Sequence, residues 1–232
     1  MIYTITKSIV FHFLWGIWTI FIGILLIPYI FLPARYIYKP THIWIKGVFL
    51  LLKTICDLDY KIIGQNYFKE NNIKIIASKH QSTFETLLFF LIIPKCIFIH
   101  KYELFYIPIF GFYLKKMNMI SIDRSANIKA MKKVLDESKQ KVNNGHTLII
   151  FPEGTRKLPG SKPDYKSGVA GIYEKINSDV LPVTLNSGLF WNKYSYIIKP
   201  GKIIVKFLPP IKKGLSKKNF LEKLENQIEE NN

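Results

Sequence analysis

The chain has 232 residues, of which 49% are hydrophobic and 15% aromatic, and its formal net charge is +17. This length suits one domain with a sizeable core and an appendage. High apolar content combined with strong positive charge predicts an anionic partner, which is nucleic acid, an anionic membrane surface or a phosphorylated substrate. The lysines are scattered without a long basic run, and the apolar excess favours a membrane over nucleic acid.

The first predicted element is an almost wholly apolar stretch from Val10 to Leu32. A helix of this length reaches about 34 Å, whereas the hydrocarbon core of a bilayer is about 30 Å thick. A signal peptide fits less well, because the apolar region is too long and no small-x-small cleavage site follows it. We therefore expect a membrane anchor. A full span and insertion into one leaflet are both open, since Pro28 and Pro33 can end or kink the helix.

The second predicted element is a helix from Lys39 to Asp57, with His42, Lys46 and Lys53 on one face. Its remaining positions are mostly apolar. This pattern is typical of a helix lying in the membrane interface, with its apolar side down and its lysines toward the headgroups. The alternative is a core helix with a narrow stripe of solvent-exposed residues.

The distribution of basic residues around the apolar stretch predicts its orientation. Lys7 is the only base before it, whereas several follow it: Arg35, Lys39, Lys46 and Lys53. Because positive charge favours the cytoplasmic side, we expect the main domain there. We divide the chain into membrane-associated helices, residues 1–57, and an α/β domain, residues 58–232.

Strands and helices alternate in the second part, which predicts an α/β fold with a largely parallel sheet flanked by helices. A short strand at 60–63 is followed by a polar loop over 65–72. Further strands are expected at 73–78, 96–100, 119–122, 147–151, 180–185 and 202–207. Helices are expected near 83–93, 103–116, 127–143, 166–176 and 216–230.

Two candidate catalytic residues, His80 and Glu85, follow the apolar strand at 73–78. A histidine at the carboxyl end of a strand lies where open α/β sheets bind ligands, and imidazole moves protons near neutral pH. Ser82 and Glu85 also match a capping box, which gives Glu85 a purely structural explanation. The two interpretations are compatible, because such a carboxylate can fix one imidazole nitrogen and leave the other as a base.

A second motif, Phe151-Pro152-Glu153-Gly154-Thr155-Arg156, ends the strand at 147–151 in a turn. Gly154 lets the backbone approach a ligand closely, and Thr155 offers a hydroxyl. Arg156 offers a planar fork that can bind a phosphate through two hydrogen bonds. The alternative is an ordinary Pro-Glu-Gly turn with a solvated arginine.

Two further cations follow other predicted strands: Lys101 comes after 96–100 and Arg124 after 119–122. Arg124 also fits a surface ion pair with the preceding aspartate. If the strands are parallel, one possible base, one carboxylate and three cations meet at the same sheet edge. That convergence predicts a phosphate-binding site beside a proton-transfer residue. The two cysteines and the histidines lack the spacing of a metal site, so we expect no metal.

Together these motifs resemble the bacterial 1-acyl-glycerol-3-phosphate acyltransferases, also called lysophosphatidic acid acyltransferases, of the His-x4-Asp glycerolipid acyltransferase superfamily. The resemblance covers roughly residues 60–210. It is carried by Lys79-His80-Gln81-Ser82 with Glu85, Lys101-x-Glu103-Leu104, Ile122-Asp123-Arg124, the 151–156 motif and Leu181-Pro182-Val183 with Asn186-Ser187-Gly188. Where that family usually has Asp, this chain has Glu85, whose longer side chain can orient the imidazole if the backbone adjusts.

The resemblance implies transfer of a fatty acyl chain to the 2-hydroxyl of lysophosphatidic acid, giving phosphatidic acid. It implies no cofactor, with acyl-CoA or acyl carrier protein as co-substrate, and membrane lipids but no nucleic acid as partners. The location implied is the bacterial cytoplasmic (inner) membrane, with the catalytic domain on its cytoplasmic face. The catalytic residues would be His80 and Glu85, and the substrate-binding residues would be Lys101, Arg124, Glu153 on the glycerol side, Gly154, Thr155 and Arg156.

Other functions are open at this stage. The acceptor is open among lysophosphatidic acid, glycerol-3-phosphate and other lysolipids, because selectivity depends on the walls of the pocket. A non-enzymatic protein that binds anionic lipid through its basic surface also fits the composition. A basic nucleic-acid-binding protein would leave the apolar N-terminus unexplained.

Overall fold

The computed structural model describes residues 1–70, 72–107, 110–123 and 127–231. Its centre is a seven-stranded sheet in the order β1-β7-β6-β2-β5-β3-β4. Neighbouring strands are parallel from β6 to β4, whereas β7 runs antiparallel to β6 and pairs in parallel with β1. This arrangement confirms the predicted α/β class with a largely parallel sheet. The strands are β1 Leu58–Ile63, β2 Ile75–Ser78, β3 Cys96–Lys101, β4 Ile120–Ile122, β5 Thr147–Ile150, β6 Val180–Leu185 and β7 Gly201–Phe207.

Helices connect the strands and cover the sheet. Every residue of β2, β5 and β6 is buried, as expected for strands that are covered on both faces. Short 3-10 helices occur at Ile27–Phe31, Ala34–Tyr36, Tyr102–Tyr106 and Ser187–Leu189. The α-helices are α1 Ile2–Leu25, α2 Tyr38–Cys56, α3 Asn66–Glu70, α4 Phe84–Ile92, α5 Phe110–Lys116, α6 Asn127–Asn143, α7 Ser167–Ile176 and α8 Lys217–Glu229.

Three predicted elements differ from the structure. The helix predicted over Val10 to Leu32 begins earlier, at Ile2, and ends at Leu25, and a 3-10 helix over Ile27–Phe31 that contains Pro28 follows it. The loop predicted over 65–72 contains the short helix α3, because the aromatic rings of Tyr67 and Phe68 pack against the core. The single helix predicted over 103–116 is instead a 3-10 helix followed by α5. Ile107, which precedes Pro108 in the sequence, is extended with φ −70° and ψ 119°, as the residue before a proline prefers.

Helix α1 lies along the rest of the protein and is held at several points. Near its start, the Ser8 hydroxyl accepts a hydrogen bond of 2.9 Å from the Ile198 N–H. Midway, the Trp18 indole N–H donates to the α2 carbonyl of Trp44 at 2.9 Å. Just beyond its end, the Leu26 carbonyl accepts from the Tyr113 hydroxyl of α5 at 3.0 Å. By length and composition, with 24 residues and a mean hydropathy of 2.0 over an 18-residue window, α1 is the one helix among the described residues that could cross a membrane.

Helix α2 does not have the environment that was predicted for it. Its apolar side, with Ile45, Val48 and Leu52, is buried in the protein core and not turned to a membrane. His42 bonds the Phe90 carbonyl of α4 at 3.1 Å, so it does not share the solvent-exposed face of Lys46. The prediction of an interfacial helix with its apolar side down is therefore wrong, and the alternative of a core helix with a narrow exposed stripe fits. The division of the chain at residue 57 stays a prediction.

Candidate active site

The candidate site lies at the carboxyl edge of the parallel part of the sheet. His80 follows β2, which lies between β5 and β6. The Lys79 N–H continues the β2–β6 pairing by donating to the Val183 carbonyl at 3.0 Å, and the chain then leaves the sheet. His80 therefore stands at the edge where the chain segments after β5 and β6 also emerge, which is the usual ligand position in such sheets.

His80 and Glu85 form a hydrogen-bonded pair. The imidazole Nδ1 lies 2.9 Å from Glu85 Oε1, and the carboxylate is fully buried whereas the His80 side chain keeps 16% of its surface exposed. An ionised carboxylate only accepts hydrogen bonds, so Nδ1 donates the proton. In the neutral imidazole this tautomer leaves the lone pair on Nε2, which is the nitrogen that can act as a base.

The Glu85 carboxylate is held on both of its oxygens. Oε1 also accepts from the backbone N–H groups of Gln81 and Ser82, each at 2.6 Å, and Oε2 accepts from the Ser187 hydroxyl at 2.8 Å. Burying a charge requires such complete hydrogen bonding. Glu85 thus reaches back to the turn as the capping box predicts, although the Ser82 hydroxyl accepts from the Phe84 N–H at 3.2 Å. The longer side chain spans the distance from helix to imidazole.

The turn after β5 fixes both the backbone and the ring of His80. The His80 N–H donates to Glu153 Oε2 at 2.8 Å, and its carbonyl accepts from the Lys157 N–H at 2.8 Å. The imidazole stacks on the Phe151 ring with 3.9 Å between centroids and 14° between planes. The 151–156 motif and the residue after it therefore position His80.

Glu153 is buried, with 2% of its surface exposed. Burial raises the pKa of this carboxyl group to about 7, partly opposed by the hydrogen bond from the His80 N–H. The predicted contact between Glu153 and the glycerol moiety does not fit this placement, because the carboxylate is turned inward to the backbone of His80. Its geometry is that of a positioning residue.

Arg156 lies at the N-terminus of α4. Its Nη1 donates to the Thr83 hydroxyl at 3.1 Å, and its side chain is half-buried. Gly154 permits this turn because its φ of +66° lies in the left-handed region that disfavours residues with a Cβ. Thr155, which lies between Gly154 and Arg156 in the sequence, is also half-buried. A guanidinium beside a helix N-terminus is well suited to an anion such as a phosphate.

Of the two remaining predicted cations, Lys101 and Arg124, only Lys101 lies among the described residues. Lys101 ends β3, the strand next to β5, and its side chain is exposed at the same sheet edge. The ring of Phe98 in β3 stacks on the ring of Phe151, directly after β5, with 6.1 Å between centroids. Arg124 lies outside the described residues, so its predicted role stays a prediction.

Sequence reasoning missed two contributions to the site. Residues 186–188 were assigned no role in the site, yet Ser187 donates to Glu85 and the Gly188 N–H donates to the Gln81 side-chain oxygen at 3.0 Å. A polar run directly after a buried strand was the available signal. The hydroxyl of Thr83, which anchors Arg156, was missed because this residue looked like part of a helix cap.

Comparison with known proteins gives a consistent result. A family model described as acyltransferase matches residues 59–186. A 1-acyl-sn-glycerol-3-phosphate acyltransferase from Pseudomonas aeruginosa is 31% identical over 193 residues, 83% of this chain and 73% of the relative. The alpha form from Mus musculus is 24% identical over 197 residues, 84% of this chain and 68% of the relative.

The fold also resembles a solved structure. The crystal structure of a 1-acyl-sn-glycerophosphate (LPA) acyltransferase from Thermotoga maritima matches with a TM-score of 0.76 and 25% sequence identity. The match covers 99% of this chain and 97% of that chain, so the N-terminal helices are included.

Proposed function

This chain belongs to the acyltransferase family, and on that premise we propose that it transfers a fatty acyl chain to the 2-hydroxyl of lysophosphatidic acid, giving phosphatidic acid. The observation that carries the proposal is the buried Glu85 carboxylate, which binds His80 Nδ1 and leaves Nε2 as the ring nitrogen for a substrate, at the edge where Arg156 lies. A base beside an anion-binding group is what this acceptor requires, since its hydroxyl and its phosphate belong to one small molecule. The activities named for the bacterial and mammalian relatives support the same reaction.

In the proposed reaction, His80 is the general base. Nε2 takes the proton of the 2-hydroxyl while that oxygen attacks the carbonyl carbon of a thioester donor. The tetrahedral intermediate then collapses as the carbon–sulfur bond breaks, and the leaving thiolate takes the proton back from the imidazolium. Glu85 stabilises the imidazolium through the 2.9 Å contact, and no acyl-enzyme is needed. We propose acyl-CoA or acyl carrier protein as the donor.

We assign phosphate binding to Arg156 with Thr155 and the backbone at Gly154, assisted by Lys101 and Arg124. A fork of N–H donors and a helix N-terminus both favour an anion. The backbone amides of Gln81 and Ser82 already donate to Glu85, so they do not serve the oxyanion of the intermediate. An oxyanion donor would have to come from elsewhere at this edge.

We propose that α1 lies in one leaflet of a membrane and does not span it. Contacts at its start, middle and end hold it along the protein, which leaves one side free to enter lipid. The net charge of +17 favours the anionic cytoplasmic leaflet, which supports a position on the cytoplasmic face of the bacterial inner membrane. Membrane lipids then deliver the acceptor. The exposed apolar side includes Ile9, Phe13, Ile17, Ile20, Phe21 and Ile24.

An acyl-transfer assay in detergent tests the proposal. Lysophosphatidic acid, glycerol-3-phosphate and lysophosphatidylcholine serve as rival acceptors, each with acyl-CoA and with acyl carrier protein as donor. We expect phosphatidic acid from lysophosphatidic acid with at least one donor. Transfer only to another acceptor would assign a different substrate, and no transfer to any acceptor would contradict an acyltransferase.

A further inference from the structure

Lys79, the residue directly before His80, is a buried lysine whose partner comes from the far end of the chain. It is 4% exposed, and its ammonium pairs with Glu229 Oε2 at the last residue of α8. The second oxygen of Glu229 accepts a hydrogen bond of 3.1 Å from the Tyr165 hydroxyl. A buried ammonium without an opposite charge is costly. The C-terminal helix therefore supplies the countercharge for the residue that leads into the active-site turn.

The same ammonium also acts on Glu153, the carboxylate that holds the His80 N–H. The charge of Lys79 lowers the pKa of Glu153, whereas the negative charge of Glu229 raises it. The charge of Lys79 thus acts on two carboxylates: it pairs directly with Glu229, and it favours the charged form of Glu153, which holds the His80 N–H. If Glu229 lost its charge, the ammonium would turn toward Glu153 and compete with the His80 N–H for the same oxygens.

Helix α8 does not depend on Glu229 for its attachment. Phe220, Leu224 and Ile228 each have 0% of their surface exposed. The Phe220 ring also stacks on Tyr173 of α7, with 3.9 Å between centroids and 3° between planes. A neutral residue at position 229 should therefore leave the helix in place, so a change in turnover can be separated from unfolding.

We propose that Glu229 is a positioning residue for acyl transfer, acting through Lys79 and Glu153 on the backbone of His80. The proposal rests on the proposed function, because it concerns the geometry of the same base. By this proposal, His80 is fully active only when α8 is packed so that Glu229 reaches Lys79. A merely structural ion pair would instead stabilise the fold without affecting the imidazole.

Glu229→Gln tests the proposal against Glu230→Gln, which removes the same charge from the exposed neighbouring residue. With the full chain in detergent, we expect Glu229→Gln to lower kcat about tenfold or more and to leave the KM for lysophosphatidic acid unchanged, since displacement of a base by part of an ångström acts on the chemical step. Glu230→Gln should match the unaltered chain. A normal kcat in Glu229→Gln, even with a lower Tm, would overturn the proposal.

The route through Lys79 has its own test. If Glu229 acts by occupying that ammonium, the double variant Lys79→Met with Glu229→Gln should lose no more activity than Lys79→Met alone, because the competing charge is gone. Additive losses in the double variant would show two independent effects and overturn the route.

A spectroscopic readout separates this proposal from the proposed function. In chain labelled with ¹⁵N-histidine, the His80 amide signal is assigned by its loss in His80→Asn. We expect that signal to shift in Glu229→Gln and to stay in place in Glu230→Gln. A shift in a chain that transfers no acyl group would support the contact from Glu229 to His80 and overturn only the reaction. An unmoved signal would overturn the positioning role, whatever the activity.

Discussion

The turn at His80 and the helix α1 differ in how far contacts within the protein bond their polar groups and cover their apolar surface. At the turn, the buried Glu85 carboxylate has hydrogen-bond donors on both oxygens, and the His80 backbone is held at its N–H and its carbonyl. Helix α1 is bonded to the protein along one side, but Ile2, Phe13 and Ile20 are each more than half exposed. The site is therefore preorganised within the chain, whereas one side of the helix is apolar and not covered by the protein.

The contrast indicates that the residues for the chemistry lie at the His80 turn, whereas the residues for membrane binding lie on α1. A rigid, fully bonded site does not need the membrane to assemble it, and an uncovered apolar face has no role in proton transfer. Changes at the turn should alter turnover in detergent and in vesicles alike. Changes on the exposed side of α1 should alter membrane binding and leave the chemistry intact.

The largest expected effect is that of His80→Ala. Loss of a general base should lower kcat on the order of a hundredfold or more, with a normal circular dichroism spectrum, because the ring contributes little to the buried core. The rate is measured in detergent and on vesicles. An undiminished rate in either would mean that the preorganised turn is not where the chemistry occurs.

Glu85→Gln and Glu85→Asp dissect the carboxylate. The Gln variant keeps the length but removes the charge that stabilises the imidazolium, so we expect a loss in kcat of about tenfold to a hundredfold. The Asp variant keeps the charge, and its shorter side chain should cost less. If Gln and Asp were equally active, Glu85 would serve only as the helix cap.

Arg156→Ala should act on binding and not on proton transfer. Removing the guanidinium should raise the KM for lysophosphatidic acid about tenfold with little change in kcat. Lys157→Ala is the matched control, because its backbone N–H, which holds the His80 carbonyl, is retained. A fall in kcat at unchanged KM in Arg156→Ala would contradict the phosphate-binding role.

Phe13→Ser combined with Phe21→Ser tests the other region. Each ring is exposed on α1 and should be buried in lipid, so the pair should weaken co-sedimentation with anionic vesicles about tenfold. The kcat toward a soluble acceptor should not change. Phe112→Ser, an exposed phenylalanine of α5, is the control. Unaltered vesicle binding in the α1 variant would remove the membrane role of this face.

The last prediction concerns the pH dependence of stability and leaves the chemistry aside. Because burial raises the pKa of Glu153 to about 7, the folded protein binds a proton more tightly there than the unfolded chain. The contribution of this group to stability is thus fully present below the unfolded pKa of the carboxyl group and is lost as pH rises from there through about 7. Relative to Glu153→Gln, the unaltered chain should lose on the order of 2 kcal/mol of unfolding free energy between pH 5 and pH 8. The same pH dependence of the unfolding free energy in both chains would contradict a buried, proton-binding Glu153.

The two regions also differ in how well the sequence predicts them. The central strands are continuous apolar runs, and this pattern is reliable because parallel strands are covered on both faces. The meeting of His80, Glu85 and Arg156 follows from the shared edge of such strands. The environment of α2 was not predictable, because helical periodicity shows which side is apolar but not whether protein or lipid covers it.

Within the site, side-chain direction was the unpredictable part. Glu153 belongs to the most specific motif, yet it turns inward, which depends on the path of one turn. Ser187 and Glu229 reach the site from 102 and 150 positions away from their partners. Only the assembled fold brings such residues together.

The most direct test of the central claim is acyl transfer to a short-chain, water-soluble lysophosphatidic acid without vesicles. Product is identified by mass spectrometry and compared with the same-chain lysophosphatidylcholine. A site that is complete within the chain predicts phosphatidic acid at a steady rate and much slower transfer to the choline lipid. Equal rates with both acceptors, or no phosphatidic acid at all, would contradict the account.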